Sequence, residues 1–463
     1  MNNSYPAEGN PLANGAIGKL IAKFAIPAII AGLISAAYNI VDQIFIGQSV
    51  GLLGNAATNV AFPLVTISNS LALLFAVGSA SCFSLELGNK QKDKALQIYG
   101  NGLTFLLICG IALFAIVLTF LEPLLLVFGA TEEVLPYALI YTGITTFGIP
   151  FSMMSIGGGH LIRADGSPTY AMIATASGAI LNCFLDPLLI FVFDLGIAGA
   201  AYATVTGQVI SALLVLYYCK KKFKTAKLER QHFRPSFDRM KTIASLGAAS
   251  CFNQLAMSVV QITLNNTLRS YGAVSVYGSD IPLACVGVIS KVNVLFMAFV
   301  LGIAQGCQPI LGFNYGAKNY ARVRETFKKA AIAVTTICVL SFLCFQLFPR
   351  QIVSVFGEGS ELYFEFAEKY FRIYLLFTFI NGIQPLTSNF FTSIGKAKMG
   401  IIMSLTRQIV FLVPLILILP VFYGIDGVMY AGPIADAAAL ILAAYFAFRE
   451  MKKMRTLEIQ ATV

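Results

Sequence analysis

The sequence predicts an all-α integral membrane protein with about twelve transmembrane helices. Hydrophobic residues make up 57% of the 463 residues and charged residues 12%, whereas charged residues are about a quarter of an ordinary soluble protein. The mean hydropathy is +0.77. The apolar runs reach 20 residues or more, enough for a helix to cross a hydrocarbon core of roughly 30 Å. Strands of a membrane barrel would be about ten residues long and would alternate.

Polar residues, glycines and prolines divide these apolar runs into twelve predicted spans. The first seventeen residues are polar and the first apolar run is too long for a signal peptide, so we expect an uncleaved N-terminus. The nine cysteines are scattered without a C-x-x-C pair and are interpreted as small core residues. The predicted spans are 18–45, 58–85, 95–120, 134–162, 168–193, 199–219, 242–268, 282–312, 330–348, 370–394, 400–420 and 428–448.

Basic residues concentrate in alternate loops. If the N-terminus is cytoplasmic, the inner loops hold nine Lys and Arg residues in "KKKFKTAKLERQHFRPSFDRMK" and five in "KNYARVRETFKK". The outer loops hold only Arg269, Arg350 and Lys369. This asymmetry follows the positive-inside rule. It predicts a multi-pass protein of the bacterial cytoplasmic membrane with both termini cytoplasmic, and it explains the net charge of +10 without a nucleic-acid partner.

The two halves of the sequence repeat each other. "GSASCFSLELG" at 78–88 matches "GIAQGCQPILG" at 302–312, and "GIAGAAY" at 196–202 matches "GIDGVMY" at 424–430. Each half has six spans, so both halves face the same way and form a transporter-like pair around a central cavity. This arrangement needs no second chain, and we expect a functional monomer. The predicted domains are a cytoplasmic segment 1–17, an N-lobe 18–219, a basic linker 220–241, a C-lobe 242–448 and a cytoplasmic tail 449–463.

Two acidic residues lie inside predicted spans of the N-lobe. A charge at a helix centre costs roughly 2.5–3.5 kcal/mol, so Asp42 and Asp186 should face protein or water and hold a proton, a cation or a partner. Asn182 precedes Asp186 by four residues on the same helical face, and Thr204 adds a hydroxyl. Carboxylate, amide and hydroxyl oxygens suit Na⁺ or a shared proton. The alternative is a satisfied polar network that ties the spans together.

The C-lobe offers an internal comparison. The repeat places Val413 opposite Asp186 and Gly432 opposite Thr204, so the same bundle is predicted to form without these acids. A role particular to the N-lobe is therefore favoured. Lys291, Arg407 and Asp436 are also predicted to be buried, as a neutralising pair or as a polar cluster that binds an anion or gates substrate.

The pattern resembles the multidrug and toxic compound extrusion (MATE) family of cation-coupled exporters. The resemblance covers essentially the whole chain and includes "YNIVDQIFIGQSVG" and "LDP" on the fifth span. It implies an N-lobe cation site, with Tyr38 and Tyr141 as accessory residues and Pro27 as a candidate hinge. Some members of the family have acidic residues on the seventh and tenth spans. On those spans this chain has the neutral residues Gln254, Gln261 and Asn381. The implied site consists of Asp42, Asn182, Asp186, Ala200 and Thr204.

The expected function is antiport, in which Na⁺ or H⁺ drives the export of lipophilic, often cationic compounds. Membrane lipids are the other expected partners, and no cofactor is expected beyond the coupling ion. The sequence has no Walker motif, no H-E-x-x-H and no Ser/His/Asp constellation, so an enzyme is not expected. Two alternatives remain open: a flippase for lipid-linked saccharides or another amphipathic metabolite, for which Lys291 and Arg407 are a hint, and a membrane receptor or enzyme.

Overall fold

The computed structural model describes residues 11–355 and 360–462, and these residues form helices and no strands. Ten helices are long and apolar enough to cross a membrane, and a bent pair makes an eleventh span. The remaining span, which is the tenth in chain order, is divided into three shorter helices. The predicted fold class is therefore confirmed. The first ten residues of the predicted N-terminal segment lie outside the described part of the chain.

The spans are numbered in chain order, and short helices at Pro11–Asn14, Leu121–Val127, Arg230–Phe233 and Pro349–Ser354 lie between them. Their bounds are as follows: span 1 Ile17–Gly51, span 2 Leu53–Gly88, span 3 Lys92–Thr119, span 4 Leu135–Thr146 with Ile149–Ala164, span 5 Pro168–Val192, span 6 Gly196–Lys222, span 7 Phe237–Ala273, span 8 Asp280–Gly316, span 9 Tyr320–Leu347, span 10 Glu361–Tyr374 with Thr378–Asn381 and Ile383–Ser393, span 11 Ala397–Tyr423, and span 12 Ile425–Gln460.

Several spans differ from simple straight helices. Spans 1 and 2 meet at a kink at Gly51, whose φ of 71° is one that glycine adopts without the steric cost of a side chain. Span 4 bends by 53° between its two helices. The helix of span 12 continues to Thr462, so most of the predicted tail is helical. The bends explain why apolar length alone placed these boundaries several residues away.

Both ends of the described chain lie at one face of the bundle, which we call the terminal face. The Asn314 amide donates to the Leu12 carbonyl at 3.0 Å, and Arg322 donates to the Gly15 carbonyl at 2.6 Å. Near the other end of the chain, Lys396 pairs with Glu450. The N-terminal segment, span 8, the start of span 9, the loop before span 11 and the end of span 12 therefore meet at this face.

The two lobes pack their last two spans in the same way. A Cβ on Gly199 would lie 2.8 Å from the backbone of Leu189, and a Cβ on Gly427 would lie 2.4 Å from the backbone of Leu419. Such approaches require glycine because there is no room for a side chain. Spans 5 and 6 thus pack as spans 11 and 12 do, which agrees with the sequence repeat.

The lobes contact each other along a seam in the half of the bundle next to the terminal face. A Cβ on Gly78 would lie 2.0 Å from the Ile243 carbonyl, and a Cβ on Gly88 would lie 2.0 Å from the Phe313 carbonyl. Gly306 meets Ala25 in the same manner. Within the described residues, every such glycine approach between the lobes falls in this half. The protein is therefore closed at the terminal face.

Candidate functional site

Span 5 carries two polar side chains one helical turn apart. Asn182 and Asp186 share a face because residues four apart lie above one another on a helix. The Asn182 amide donates to Asp186 Oδ1 at 3.2 Å and to Thr204 Oγ1 of span 6 at 3.3 Å. Asn182 and Asp186 are buried. The structure thus brings together three of the residues that the sequence predicted for one site.

Span 1 completes this group. The carboxyl groups of Asp42 and Asp186 face each other within hydrogen-bonding range. Tyr38, one turn before Asp42, lies near both carboxyl groups. Tyr141 of span 4 is buried beside Thr204 and also lies near both acids. Two carboxylates at this separation disfavour double ionisation unless a proton or a cation lies with them.

Three oxygens of this site are buried without a hydrogen-bond partner. They are Asp42 Oδ1, Asn182 Oδ1 and Asp186 Oδ2. A buried polar atom without a partner costs roughly 1–3 kcal/mol. Oxygen ligands of this kind suit a hard cation. Among the described residues, no three His, Cys, Asp or Glu side chains lie close enough to hold a metal ion, so the site combines only two acids with neutral oxygens. These residues fit a monovalent cation or a proton.

Two further residues that the resemblance implied are Ala200, which lies in an apolar cluster of the N-lobe, and Pro27, which lies at the seam between the lobes. Ala200 of span 6 is fully buried in the apolar cluster that also contains Ile46 and Tyr141, next to the acids. Pro27 is buried in span 1, whose helix continues through it. Its neighbours Ala25 and Ile29 pack on Gly306 and Gly302 of span 8. Pro27 therefore lies at the seam, away from Asp42 by four turns of helix.

The C-lobe acid is already neutralised. Arg407 of span 11 donates from Nε to Asp436 Oδ1 of span 12 at 2.6 Å, and the two side chains are 16% and 4% exposed. Lys291 does not share their burial. It is exposed on span 8 and forms no ion pair among the described residues, so the expectation that it is buried is wrong. A lysine keeps its ammonium group hydrated wherever it can reach water, which explains this exposure.

Sequence reasoning missed a polar cluster at the seam, made of His160, Arg163, Gln305, Gln308 and Ser81. Gln308 donates to Ser81 Oγ at 2.8 Å and to the Val77 carbonyl at 3.2 Å, and Arg163 donates to Gln305 Oε1 at 3.3 Å. Both glutamines lie in the repeated motif "GIAQGCQPILG". Their polarity in a motif of small residues was the available signal. The cluster joins span 8 to spans 2 and 4.

The family comparison reproduces the two-lobe arrangement. The sequence model of the MatE family matches this chain twice, over residues 27–188 and 249–418. The first match contains Asp42 and Asp186, and the second contains Arg407. The chain belongs to the MatE family. As a MatE protein it is a multi-pass membrane transporter and not an enzyme.

Curated relatives and solved structures of MatE proteins agree over almost the full length. The chain is 24% identical to the multidrug export protein MepA of Staphylococcus haemolyticus, over 93% of each chain. It is 24% identical to MepA of Staphylococcus aureus (strain MSSA476), over 92% of each.

Two solved structures share this fold. One is the outward-facing conformation of a multidrug resistance MATE family transporter of the MOP superfamily. It has a TM-score of 0.90 and 24% identity, and the match covers 97% of this chain and 99% of that one. A MOP superfamily transporter from Pyrococcus furiosus has a TM-score of 0.89 and 24% identity, with 96% and 98% covered. The MatE fold is thus present over nearly the whole chain.

Proposed function

We propose that this MatE protein is a cation-coupled antiporter that exports lipophilic, often cationic compounds. Na⁺ or H⁺ enters the Asp42/Asp186 site from the face opposite the termini, and the exported compound leaves at that face. The terminal face is then cytoplasmic, as the basic loops predict. The multidrug export function named for the MepA relatives supports the substrate class.

The observation that carries the coupling proposal is the set of three partnerless buried oxygens. One oxygen each of Asp42, Asn182 and Asp186 is buried, and among the described residues none of the three has a hydrogen-bond partner. A purely structural network would have its members paired, since an unpaired buried oxygen destabilises the fold. A cation or proton bound at these oxygens satisfies them and can be released again.

Coupling requires that ion and drug favour different states of the protein. In this proposal the drug is loaded when the seam opens toward the cytoplasm, and the cation favours the state closed at the terminal face. Exchange of one cation for one monocationic drug moves no net charge. The membrane potential, worth roughly 2.3 kcal/mol per charge per 100 mV, then contributes nothing, and the ion gradient or a second ion drives export.

The test is ethidium efflux from proteoliposomes under either a Na⁺ gradient or a pH gradient, each imposed alone. The native protein, Asp186→Asn and Asp194→Asn are compared. Asp194 is an exposed acid between spans 5 and 6, and its φ of 53° is one that asparagine tolerates. The Asp194→Asn substitution therefore removes one negative charge, as Asp186→Asn does, without disturbing the backbone.

We expect one gradient to drive efflux in the native protein and in Asp194→Asn, and Asp186→Asn to lose at least tenfold of that rate. Efflux of equal rate in Asp186→Asn, in a variant that inserts and folds normally, contradicts the proposal. Efflux that neither gradient accelerates contradicts it as well.

Export or flipping of an anionic amphiphile is the second candidate function. The cationic residue that favours it is Lys291, which is exposed on span 8 without an ion-pair partner. Arg407 gives it no support because Asp436 neutralises that guanidinium. This candidate predicts that Lys291→Gln lowers transport of a fluorescent phospholipid in the same vesicles and leaves ethidium efflux unchanged.

A further inference from the structure

A cavity of about 220 Å³ opens at the terminal face, at the seam between the lobes. One wall comes from the N-lobe, where Leu87, Ala164 and Gly166 line it. The other wall contains Leu12 and Phe24, which are buried in the same apolar core as the C-lobe spans. A ligand in this cavity would touch both sides of the seam.

Four lysines line the cavity, and they come from separate segments. Lys23 belongs to span 1, Lys90 and Lys92 to the loop and first turn of span 3, and Lys224 to the linker. Among the described residues none of the four forms an ion pair. Four positive charges therefore converge on a cavity whose described lining contains a single acid, Asp165.

Asp165, the acid among the described residues that line the cavity, is already satisfied. The Asp165 carboxylate accepts hydrogen bonds from the Tyr218 hydroxyl at 2.6 Å, from the Lys224 backbone N–H at 2.8 Å and from the Thr225 backbone N–H at 3.0 Å. Burial raises the pKa of Asp165 to about 6, so the carboxyl group is still ionised at neutral pH. Its bonds hold the linker in place and involve none of the lysine ammonium groups.

The lysines also oppose one another. Burial, and then the charge of Lys23, lower the pKa of Lys224, whereas Asp165 acts in the other direction. The Lys224 ammonium group donates only to a neutral oxygen, the Gly166 carbonyl, at 3.0 Å. An anion between Lys23 and Lys224 would reduce their repulsion.

The walls of the cavity define the rest of the ligand. Leu12, Phe24, Leu87 and Phe313 present apolar surface below the lysines. Inorganic phosphate alone would leave these walls uncovered, whereas an anion with an apolar part would contact both groups. Basic pockets between membrane helices at the cytoplasmic side are known to take phosphate-bearing lipid headgroups.

We propose that this cavity binds an organic phosphate with an apolar portion, and that its binding holds the lobes closed at the terminal face. The phosphate contacts the lysines, which belong to the N-lobe and the linker, and the apolar portion lies against Phe24 and, across the seam, against Phe313 of the C-lobe. The phosphate has two sources, an anionic phospholipid headgroup or a soluble phosphate ester. The proposal is independent of the ion site, because none of its residues belongs to the Asp42/Asp186 group.

Thermal unfolding of the purified full chain in detergent tests this site. The probes are phosphatidylglycerol, phosphatidylcholine and the soluble ester 1-naphthyl phosphate, each added separately. The pocket variant is Lys23→Gln/Lys92→Gln. The control variant is Lys220→Gln/Lys221→Gln, which removes the same charge from the same face but lies outside the cavity.

We expect phosphatidylglycerol to raise the unfolding temperature of the native protein and of the control more than phosphatidylcholine does. One juxtamembrane lysine is worth about fivefold in affinity for an anionic lipid, so the pocket variant should require roughly 25-fold more phosphatidylglycerol. Stabilisation by 1-naphthyl phosphate as well would assign a soluble source, and its absence would assign the lipid headgroup.

Equal losses in the pocket and control variants would overturn the proposal, because the basic face as a whole would then attract the lipid. Equal stabilisation by the two lipids would also overturn it. The fold of the pocket variant is checked by its unfolding temperature without added lipid, which should match that of the control.

Discussion

The last two spans of the N-lobe and of the C-lobe pack in the same way, but the buried charges of the two lobes differ. Spans 5 and 6 pack as spans 11 and 12 do, with Gly199 and Gly427 in equivalent contacts. In the N-lobe, Asp42 and Asp186 face each other and keep partnerless oxygens. In the C-lobe, Arg407 supplies Asp436 with a permanent positive charge. The C-lobe has a cation built into its chain, and we propose that the N-lobe takes one from solution.

This difference shows that the fold itself does not require the N-lobe acids. The repeat aligns Val413 with Asp186, and the C-lobe still packs its spans. This difference between the lobes is tested by removing charges from one lobe at a time and measuring whether transport or stability changes.

The largest effect is expected from the N-lobe acids. Asp42→Asn and Asp186→Asn should each lower ion-driven ethidium efflux at least tenfold, and the double variant should be no worse than either single variant. The effects of groups that act as a unit are not additive, and in our proposal both carboxyl groups hold one cation. Efflux rates of the three variants at equal protein content measure this. Losses that multiply in the double variant would mean that the two acids act separately.

Removing one member of the Arg407/Asp436 pair of the C-lobe should lower the stability of the protein. Asp436→Leu leaves the Arg407 guanidinium buried without its partner, which typically costs about 3–5 kcal/mol. The double variant Arg407→Met/Asp436→Leu should recover most of this loss, because two apolar side chains replace the pair. Thermal unfolding measures both, and efflux by the double variant should keep its ion dependence. Loss of ion-driven efflux in a stable double variant would transfer the coupling role to the C-lobe.

A smaller effect is expected at the seam that joins the lobes. Gln308→Leu removes hydrogen bonds to the Ser81 hydroxyl and the Val77 carbonyl, worth about 1–2 kcal/mol together. The closed state should therefore lose roughly five- to thirtyfold in its equilibrium with the open state.

The chain contains no tryptophan, so a single tryptophan in place of Phe313 reports seam opening through its quenching by aqueous acrylamide. The matched control is Gln346→Leu, which removes the bond of Gln346 to the Arg372 carbonyl on an exposed surface. Quenching that rises equally in both variants would show that Gln308 has no special part in closure.

Apolar length, loop charge and the internal repeat were sufficient to predict the fold class. The fifth-span site was also predictable, because a helix fixes the relation of Asn182 to Asp186 whatever surrounds it. The burial of Lys291 was predicted wrongly, since sequence gives the depth of a residue along a helix but not the direction in which it points. The seam cluster was missed for a related reason. His160 and Gln308 lie far apart in sequence, and only the packing of the two lobes places them together.

The most direct test of the account measures ethidium affinity for the purified protein while Na⁺ and pH are varied. Ethidium fluorescence polarisation gives the dissociation constant, and the cation affinity is measured with and without ethidium. If the N-lobe site couples the two, the coupling ion should weaken ethidium binding, and ethidium should weaken ion binding by the same factor. Asp186→Asn should abolish both effects. An ethidium affinity that stays constant across Na⁺ and pH in the native protein would contradict the account.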